Sequence, residues 1–214
     1  MSSGQNTGIL MADLSGYSAL TETHGAFSAA NLIDRYIEIV NDSLVGDSKL
    51  TERVGDEVMI MSASADNLLS TAAMIIKNTA REDNFLRVHG GLHYGEVLTR
   101  NNSHFGSAIN LTSRIAKKAN PGTFWCSQEF IAALENKSLF TLTPIGRYRF
   151  KNIKEENELA ELTGECQTSF FVDPVCHMLI LNKEIAVKCP GVEEIYFCST
   201  GCLGIYNSLK ESEI

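Results

Sequence analysis

Apolar residues recur along this chain with periods that switch between strand-like and helical. Residues 8–13 (Gly-Ile-Leu-Met-Ala-Asp) read as a short buried strand ending in an acid, and Gly16 then breaks the run. From 26 to 45, Phe27, Ala30, Ile33, Ile37 and Val40 share one helical face. Two strands follow around Lys49–Val54 and Glu57–Met61, joined at Gly55-Asp56 in a hairpin signal. Residues 65–81 are again helical, with Asp66 near the start and Arg81 at the end. Arg87 to Thr99 is strand-rich, with Gly90, Gly91 and Gly95 as bends or bulges, and a helix over 106–119 stops at Asn120-Pro121-Gly122. The stretch 123–162 alternates strand, a short helix at 127–134, then strands around 138–150 and 158–162. These runs suit an α+β domain, an antiparallel sheet with helices packed on one face. Near 163–169 the apolar pattern lapses, which predicts a domain over 1–164 and a second module over 165–214.

Composition changes this picture only by exclusion. The chain has 214 residues, 44% apolar and 21% charged, with a net charge of −8. Those are ordinary values for a globular protein, and collagen-like, coiled-coil and disordered classes drop out. An acidic chain makes a poor general nucleic-acid binder, because phosphate neutralisation needs clustered Lys and Arg. Apolar stretches such as Val58 to Met61 are too short to span a bilayer, and the polar, uncharged start is no signal peptide. The expectation is a cytoplasmic protein without nucleic-acid or membrane partners. Of six cysteines, only Cys126 precedes Cys166; the rest (Cys166, Cys176, Cys189, Cys198, Cys202) crowd the C-terminal module. In a reducing compartment that asymmetry suggests metal or redox chemistry more than a disulfide framework.

Two carboxylates stand where chemistry needs them. Asp13 ends the first strand and precedes Leu14-Ser15-Gly16-Tyr17-Ser18, while Asp56 sits in the hairpin turn. Such a pair offers hard oxygen ligands to divalent metal, and two ions there suit phosphoryl transfer. The turn after Asp13 offers backbone N–H groups to a triphosphate. Taken singly, Asp13 also reads as a helix N-cap and Asp56 as a turn former. A third motif tips the balance: Gly106-Ser-Ala-Ile-Asn-Leu-Thr-Ser-Arg114 places Asn110 and Arg114 four apart on one helix face.

Here the sequence resembles the class III nucleotidyl cyclases, adenylate and guanylate. The stretches that carry the likeness are Ile9 to Ser18, Val54-Gly-Asp-Glu-Val-Met59 and Gly106 to Arg114, in that order, over roughly 7–163. The resemblance implies a ferredoxin-like βαββαβ core that works as a head-to-tail homodimer with active sites at the interface. Asp13 and Asp56, with the Leu14 backbone, would bind two Mg2+ or Mn2+ ions, and Ser15, Gly16, Tyr17 and Ser18 would meet the triphosphate. From the partner chain, Asn110 would orient the ribose and Arg114 would stabilise charge on the α-phosphate. Lys151 aligns with a lysine for the terminal phosphates, or is a surface lysine at a strand end.

The base-selecting positions are Glu52 and Ser103, where the commonest adenylate pattern has Lys and Asp. Glu52 can accept from guanine N1–H and its 2-amino group, and Ser103 can donate to O6, which favours GTP over ATP. Strand parity puts Lys49 on the opposite face from Glu52, so Lys49 does not substitute. A cyclase-like scaffold without turnover, acting by metal binding or signalling contact, is the alternative, against which the four kept catalytic positions argue.

In the C-terminal module, Cys198 and Cys202 are spaced i, i+4, and a helix starting near Ser199 turns both thiols toward one point, with Cys176 on a preceding turn. Three converging thiolates favour a soft or borderline ion such as Cu+ or Zn2+; three buried, inert cysteines are the plainer alternative. The segment resembles the YHS (TRASH-like) domain through Asp173-Pro-Val-Cys-His-Met178 and Tyr196-Phe-Cys-Ser-Thr-Gly-Cys202. That resemblance implies a small heavy-metal-associated module, and regulation of the enzyme by metal or redox state through it is one hypothesis it opens. His177 replaces the usual glycine, which adds a ligand or distorts the turn. Cys189, before Pro190-Gly191, could be a fourth ligand but reads rather as a loop cysteine, and Cys166 as incidental. His24, His89, His93 and His104 read as ordinary polar residues, Cys126 as core, and Ser15 as lacking an adjacent base.

Overall fold

The computed structural model describes residues 4–211 apart from 102, 154, 163–169 and 193. The expected boundary at 164/165 and Cys166 lie outside the described residues. The core runs β1 (Gln5–Leu14), α1 (Tyr17–Asp42), β2 (Lys49–Val54), β3 (Glu57–Ser62), α2 (Ala65–Thr79) and β4 (Val88–Arg100). Its strands lie side by side as β2-β3-β1-β4 with antiparallel neighbours, which is the ferredoxin-like βαββαβ arrangement. The sheet then widens with β6 (Phe124–Ser127), parallel to β4, followed by β8 (Asn157–Leu162) and β7 (Leu142–Tyr148). A short β5 (Ser103–Phe105), which the apolar pattern does not announce, folds back on the end of β4.

The expectation of helices on one face needs correction. Leu10, Ala12 and Leu14 of β1 pack with Ile33 and Tyr36 of α1 and Leu68 and Leu69 of α2 in one apolar cluster. Ile9 and Met11 pack the other way, with Met59 of β3 and with Ala108 and Ala116 of α3 (Ser107–Ala116). Both faces of the central strands are therefore covered, which is why β1 reads as a continuous apolar run rather than an alternating one. Gly91 makes α3's approach possible: a Cβ there would lie 2.5 Å from the Ala116 backbone nitrogen and 2.9 Å from an Ile115 side-chain carbon. Gly91 and Gly95 of β4 are thus sites of close helix approach, while Gly90 makes room for Phe124 of β6 and the Met11 backbone.

The first helix begins nine residues earlier than its apolar face predicts, at Tyr17 rather than 26. Gly25, at φ 79° and ψ 168°, interrupts it with a kink, so the turns before and after do not share one periodic stripe. The short helix α4 (Gln128–Ala133) falls where the sequence places it.

Residues 170–211 form the small module. β9 (Phe171–Val172) pairs β10 (Leu179–Ile180), β11 (Val187–Lys188) pairs β12 (Tyr196–Phe197), and α5 covers Thr200–Glu211. The module touches the main domain: Phe170 and Leu179 join its apolar cluster, and the Phe140 and Phe170 rings meet edge-on at 5.6 Å. Gly46 N–H also donates to the His177 carbonyl at 2.7 Å.

Candidate active site

Chain direction builds the acidic site. β1 and β4 pair so that Asp13 lies opposite His89, on the face shared with Ile9 and Met11. β1 also pairs β3 antiparallel, which brings the end of β1 level with the β2–β3 turn, where Gly55 adopts φ 63° and Asp56 follows. The two carboxyls are in direct contact. Burial, then the hydrogen bond and charge of Asp13, push Asp56 up to about 6. Two half-buried carboxyls at that range repel when ionised, and a divalent cation relieves the repulsion with hard oxygen ligands.

The turn after Asp13 is sorted by its hydrogen bonds. Leu14 N–H donates to Asp13 Oδ1 at 3.0 Å, and Ser15 N–H donates to the Arg87 carbonyl at 2.8 Å. Those two donors are therefore already used. Gly16, at φ 91°, is the N-cap of α1, with no side-chain capping bond and no acidic residue in the first turn. The opening N–H groups of this helix lack intrahelical acceptors and carry the positive end of its dipole. Gly16, Tyr17 and Ser18 thus keep anion-binding capacity, beside the two aspartates.

One expectation fails here. Ser15 does have an imidazole beside it: its Oγ lies 2.9 Å from His89 Nδ1. Burial lowers the His89 pKa and the nearby Asp56 charge opposes that, so the ring joins the site electrostatically. The signal was available only through strand register, since the two residues are 74 apart in sequence. Tyr36 of α1 is fully buried close by, with its hydroxyl unpartnered among the described residues. His93 is the ordinary buried histidine expected, 2.7 Å from Ser127 Oγ.

A second correction concerns the base-selecting strand. A β-bulge between Leu50 and Glu52 makes Lys49 pair with Met61 and Glu52 with Met59. Met61 and Met59 both pack with the α3-side cluster. Lys49 and Glu52 therefore share that face, the face of Asp13, because an extra residue resets the period-two alternation. Glu52 is exposed; Ser103 is exposed on β5, paired with Arg100. Asn110 and Arg114 are exposed on α3, one turn apart, and neither side chain makes a hydrogen bond or ion pair with another described residue. Lys117, just past α3, approaches Glu57 at 4.0 Å, which sets the end of α3 near the turn bearing Asp56. Lys151 is exposed in the turn after β7.

A family model described as the adenylate and guanylate cyclase catalytic domain matches residues 1–168. The chain belongs to this family. The cyclase domain is 34% identical over 116 residues to an uncharacterised protein of Mycobacterium tuberculosis, a match covering 54% of this chain and 31% of that protein. It is 26% identical over 136 residues to an adenylate cyclase of Glutamicibacter nicotianae, covering 62% of this chain and 33% of the relative. The match thus spans about a third of the length of these curated relatives. Among solved structures, the guanylyl cyclase Cya2 superposes with a TM-score of 0.67 at 18% identity, over 78% of this chain and 96% of that one. The adenylyl cyclase CyaB of P. aeruginosa gives 0.64 at 16% identity, over 77% and 97%. At those identities the likeness establishes the fold.

Beyond the cyclase domain, the module gathers three of its cysteines. Cys176 Sγ lies 3.5 Å from Cys198 Sγ, and Cys198 Sγ lies 3.7 Å from Cys202 Sγ. α5 starts at Thr200, so the i, i+4 pair does bring its thiols together. The Asp173 carboxyl, which carries no role in the sequence motif, stands within 4.8 Å of all three sulfurs. Burial works to raise its pKa, but hydrogen bonds, that of the Cys198 backbone N–H first, win and hold it down to about 2, while the hydrogen bond between its carboxyl and the Cys198 thiol leads in pushing that thiol up to about 12. Cys189 is buried and His177 stands apart from this group. His177 takes φ 58°, the left-handed conformation a glycine adopts freely, and so fits the turn by backbone geometry. Cys126 is wholly buried core, its thiol pKa raised by burial.

Proposed function

We propose that this protein is a nucleotide cyclase, converting ATP or GTP to the cyclic monophosphate, pyrophosphate and a proton at sites shared by two copies of the chain. The observation that carries the reading is the contact of Asp13 with Asp56 beside the uncapped start of α1. Adjacent carboxylates fit a pair of Mg2+ or Mn2+ ions, with the Leu14 backbone alongside. Bound there, such ions supply Lewis-acid charge to the 3′-oxygen and to the departing phosphates. The remaining work falls to side chains and backbone. The N–H groups from Gly16 to Ser18 hold the triphosphate, with Lys151 at its outer end and Ser15 fixed by His89. The ribose 3′-oxygen attacks the α-phosphorus and the bond to the bridging oxygen of pyrophosphate breaks.

Asn110 and Arg114 project from α3 with no partner in their own chain among the described residues, which suits delivery to a second copy's site. Asn110 there orients the ribose, and Arg114 meets the charge growing on the α-phosphate. Glu52 and Ser103 read the base, with hydrogen-bonding that favours guanine. Lys49 stands on the same face as Glu52, and its ammonium adds a donor there.

The thiol module is proposed as the YHS-type regulatory part, holding Zn2+ or Cu+ through Cys176, Cys198 and Cys202. Its link to the enzyme is the His177 carbonyl on Gly46 N–H, three residues before β2 and its Glu52. The test of the main reading is an assay with ATP and with GTP in Mn2+, using Asp13→Ala as control. Cyclic nucleotide from wild type and none from the variant is expected. Product persisting in the variant would reject this mechanism, and no product from either nucleotide would favour the turnover-free scaffold.

A further inference from the structure

Asp173 is wholly buried, and its bonds describe its work. Oδ1 accepts from the backbone N–H of Val175 at 2.8 Å and of Cys176 at 3.2 Å. Oδ2 accepts from Cys198 N–H at 2.7 Å, across 25 residues of chain. The first two bonds shape the turn that presents Cys176. His177 N–H, donating to the Asp173 carbonyl at 2.8 Å, closes the same turn. The third bond pins the junction of β12 and α5 to that turn. Cys202 follows from the helix start, because its N–H donates to Ser199 Oγ at 3.2 Å.

One carboxylate therefore sets the separation of the two thiol-bearing segments. Pulling it toward an ion would strip acceptors from up to three backbone donors, and an orphaned buried N–H is costly. Its hard oxygen is also poorly matched to an ion chosen by three sulfurs. We propose that Asp173 is the positioning residue of the thiol cluster and not its fourth ligand, so that a bound ion is held by the sulfurs of Cys176, Cys198 and Cys202 alone. The ion class this selects is soft and content with three thiolates; a zinc site closed by four protein ligands would lack one. The inference rests on the reading of these thiols as an ion site.

The test uses Cd2+ as probe on the full chain and compares wild type with Asp173→Asn. Asn keeps shape and burial but offers one acceptor oxygen in place of two, so one side of the clasp is lost. Expected is a fall of about tenfold or more in Cd2+ affinity, the scale of outer-shell substitutions. At saturation the sulfur-to-cadmium ultraviolet band per bound ion and the 113Cd chemical shift stay as in wild type. A moved 113Cd shift would make Asp173 a ligand and overturn the proposal; unchanged affinity would equally overturn it by removing the clasp. X-ray absorption of the Cd2+-loaded wild type needs no variant: three sulfurs and no carboxylate oxygen are expected, and a bonded carboxylate oxygen contradicts it. Failure of wild type itself to show the ultraviolet band would instead reject the thiols as an ion site, and the inference with them.

Discussion

At the scale of single residues, the site divides into what local motif carries and what register creates. Asp13, Asp56, Asn110 and Arg114 were singled out because each sits in a short run that, taken with the others in order, resembles the cyclase motifs; their roles are proposals. His89 was not, since its contact with Ser15 depends on the pairing of β1 with β4. Lys49 was misjudged because one bulged residue reverses the alternation assumed for a regular strand. Arg114→Ala should lower kcat by about a hundredfold or more with a small change in KM, as expected of a group acting on transition-state charge. Steady-state kinetics decides this, and a pure KM effect would assign Arg114 to ground-state binding. Glu52→Lys combined with Ser103→Asp should move the GTP/ATP preference toward ATP; an unchanged ratio of kcat/KM values would remove both residues from base selection.

At the scale of elements, most strand and helix positions of the cyclase domain followed from periodicity, though β5 and the first turns of α1 did not, nor did the face each helix covers. Nothing in α3's own stripe says that it packs on Gly91 rather than beside α1 and α2. Two carboxylates tie neighbouring elements together. Asp66, buried in the first turn of α2, accepts from Glu135 and Asn136 N–H at 2.9 Å each. Asp66→Ala leaves both donors without that acceptor and should cost about 1–3 kcal/mol, measured by urea denaturation. Asp47, in the loop before β2, accepts from Ser62 Oγ, from Ala63 N–H at 2.8 Å and from Asn67 Nδ2 at 3.0 Å. Burial opposes its ionisation, but those bonds win and its pKa is lowered. A carboxylate depressed on folding stabilises the fold above its unfolded pKa, and that contribution fades as pH falls through the folded value. Asp47→Asn should therefore flatten the acid limb of a melting-temperature profile and leave its slope near neutral pH unchanged; an unaltered acid limb would refute this.

At the scale of the whole molecule, the cysteine-rich segment 170–211 packs on the cyclase domain through Phe170, Leu179 and the His177–Gly46 bond. On the proposed reading, the acidic site and the α3 residues come together only in an assembly of two copies. Asp13 and Asp56 meet within one chain, whereas Asn110 and Arg114 lie exposed on α3. If two copies complete each other's sites, two different dead variants should repair one another. The decisive measurement mixes Asp13→Ala with Arg114→Ala after co-folding and assays cyclic nucleotide in Mn2+. Asp13→Ala alone should be inactive, and Arg114→Ala alone should keep about a hundredth of wild-type activity or less. A one-to-one mixture should regain about a quarter of wild-type activity, because half of the symmetric dimers are mixed and each of those holds one intact site. Folded variants that stay at those levels when mixed, or either one active above them alone, would contradict a cyclase site shared between two chains.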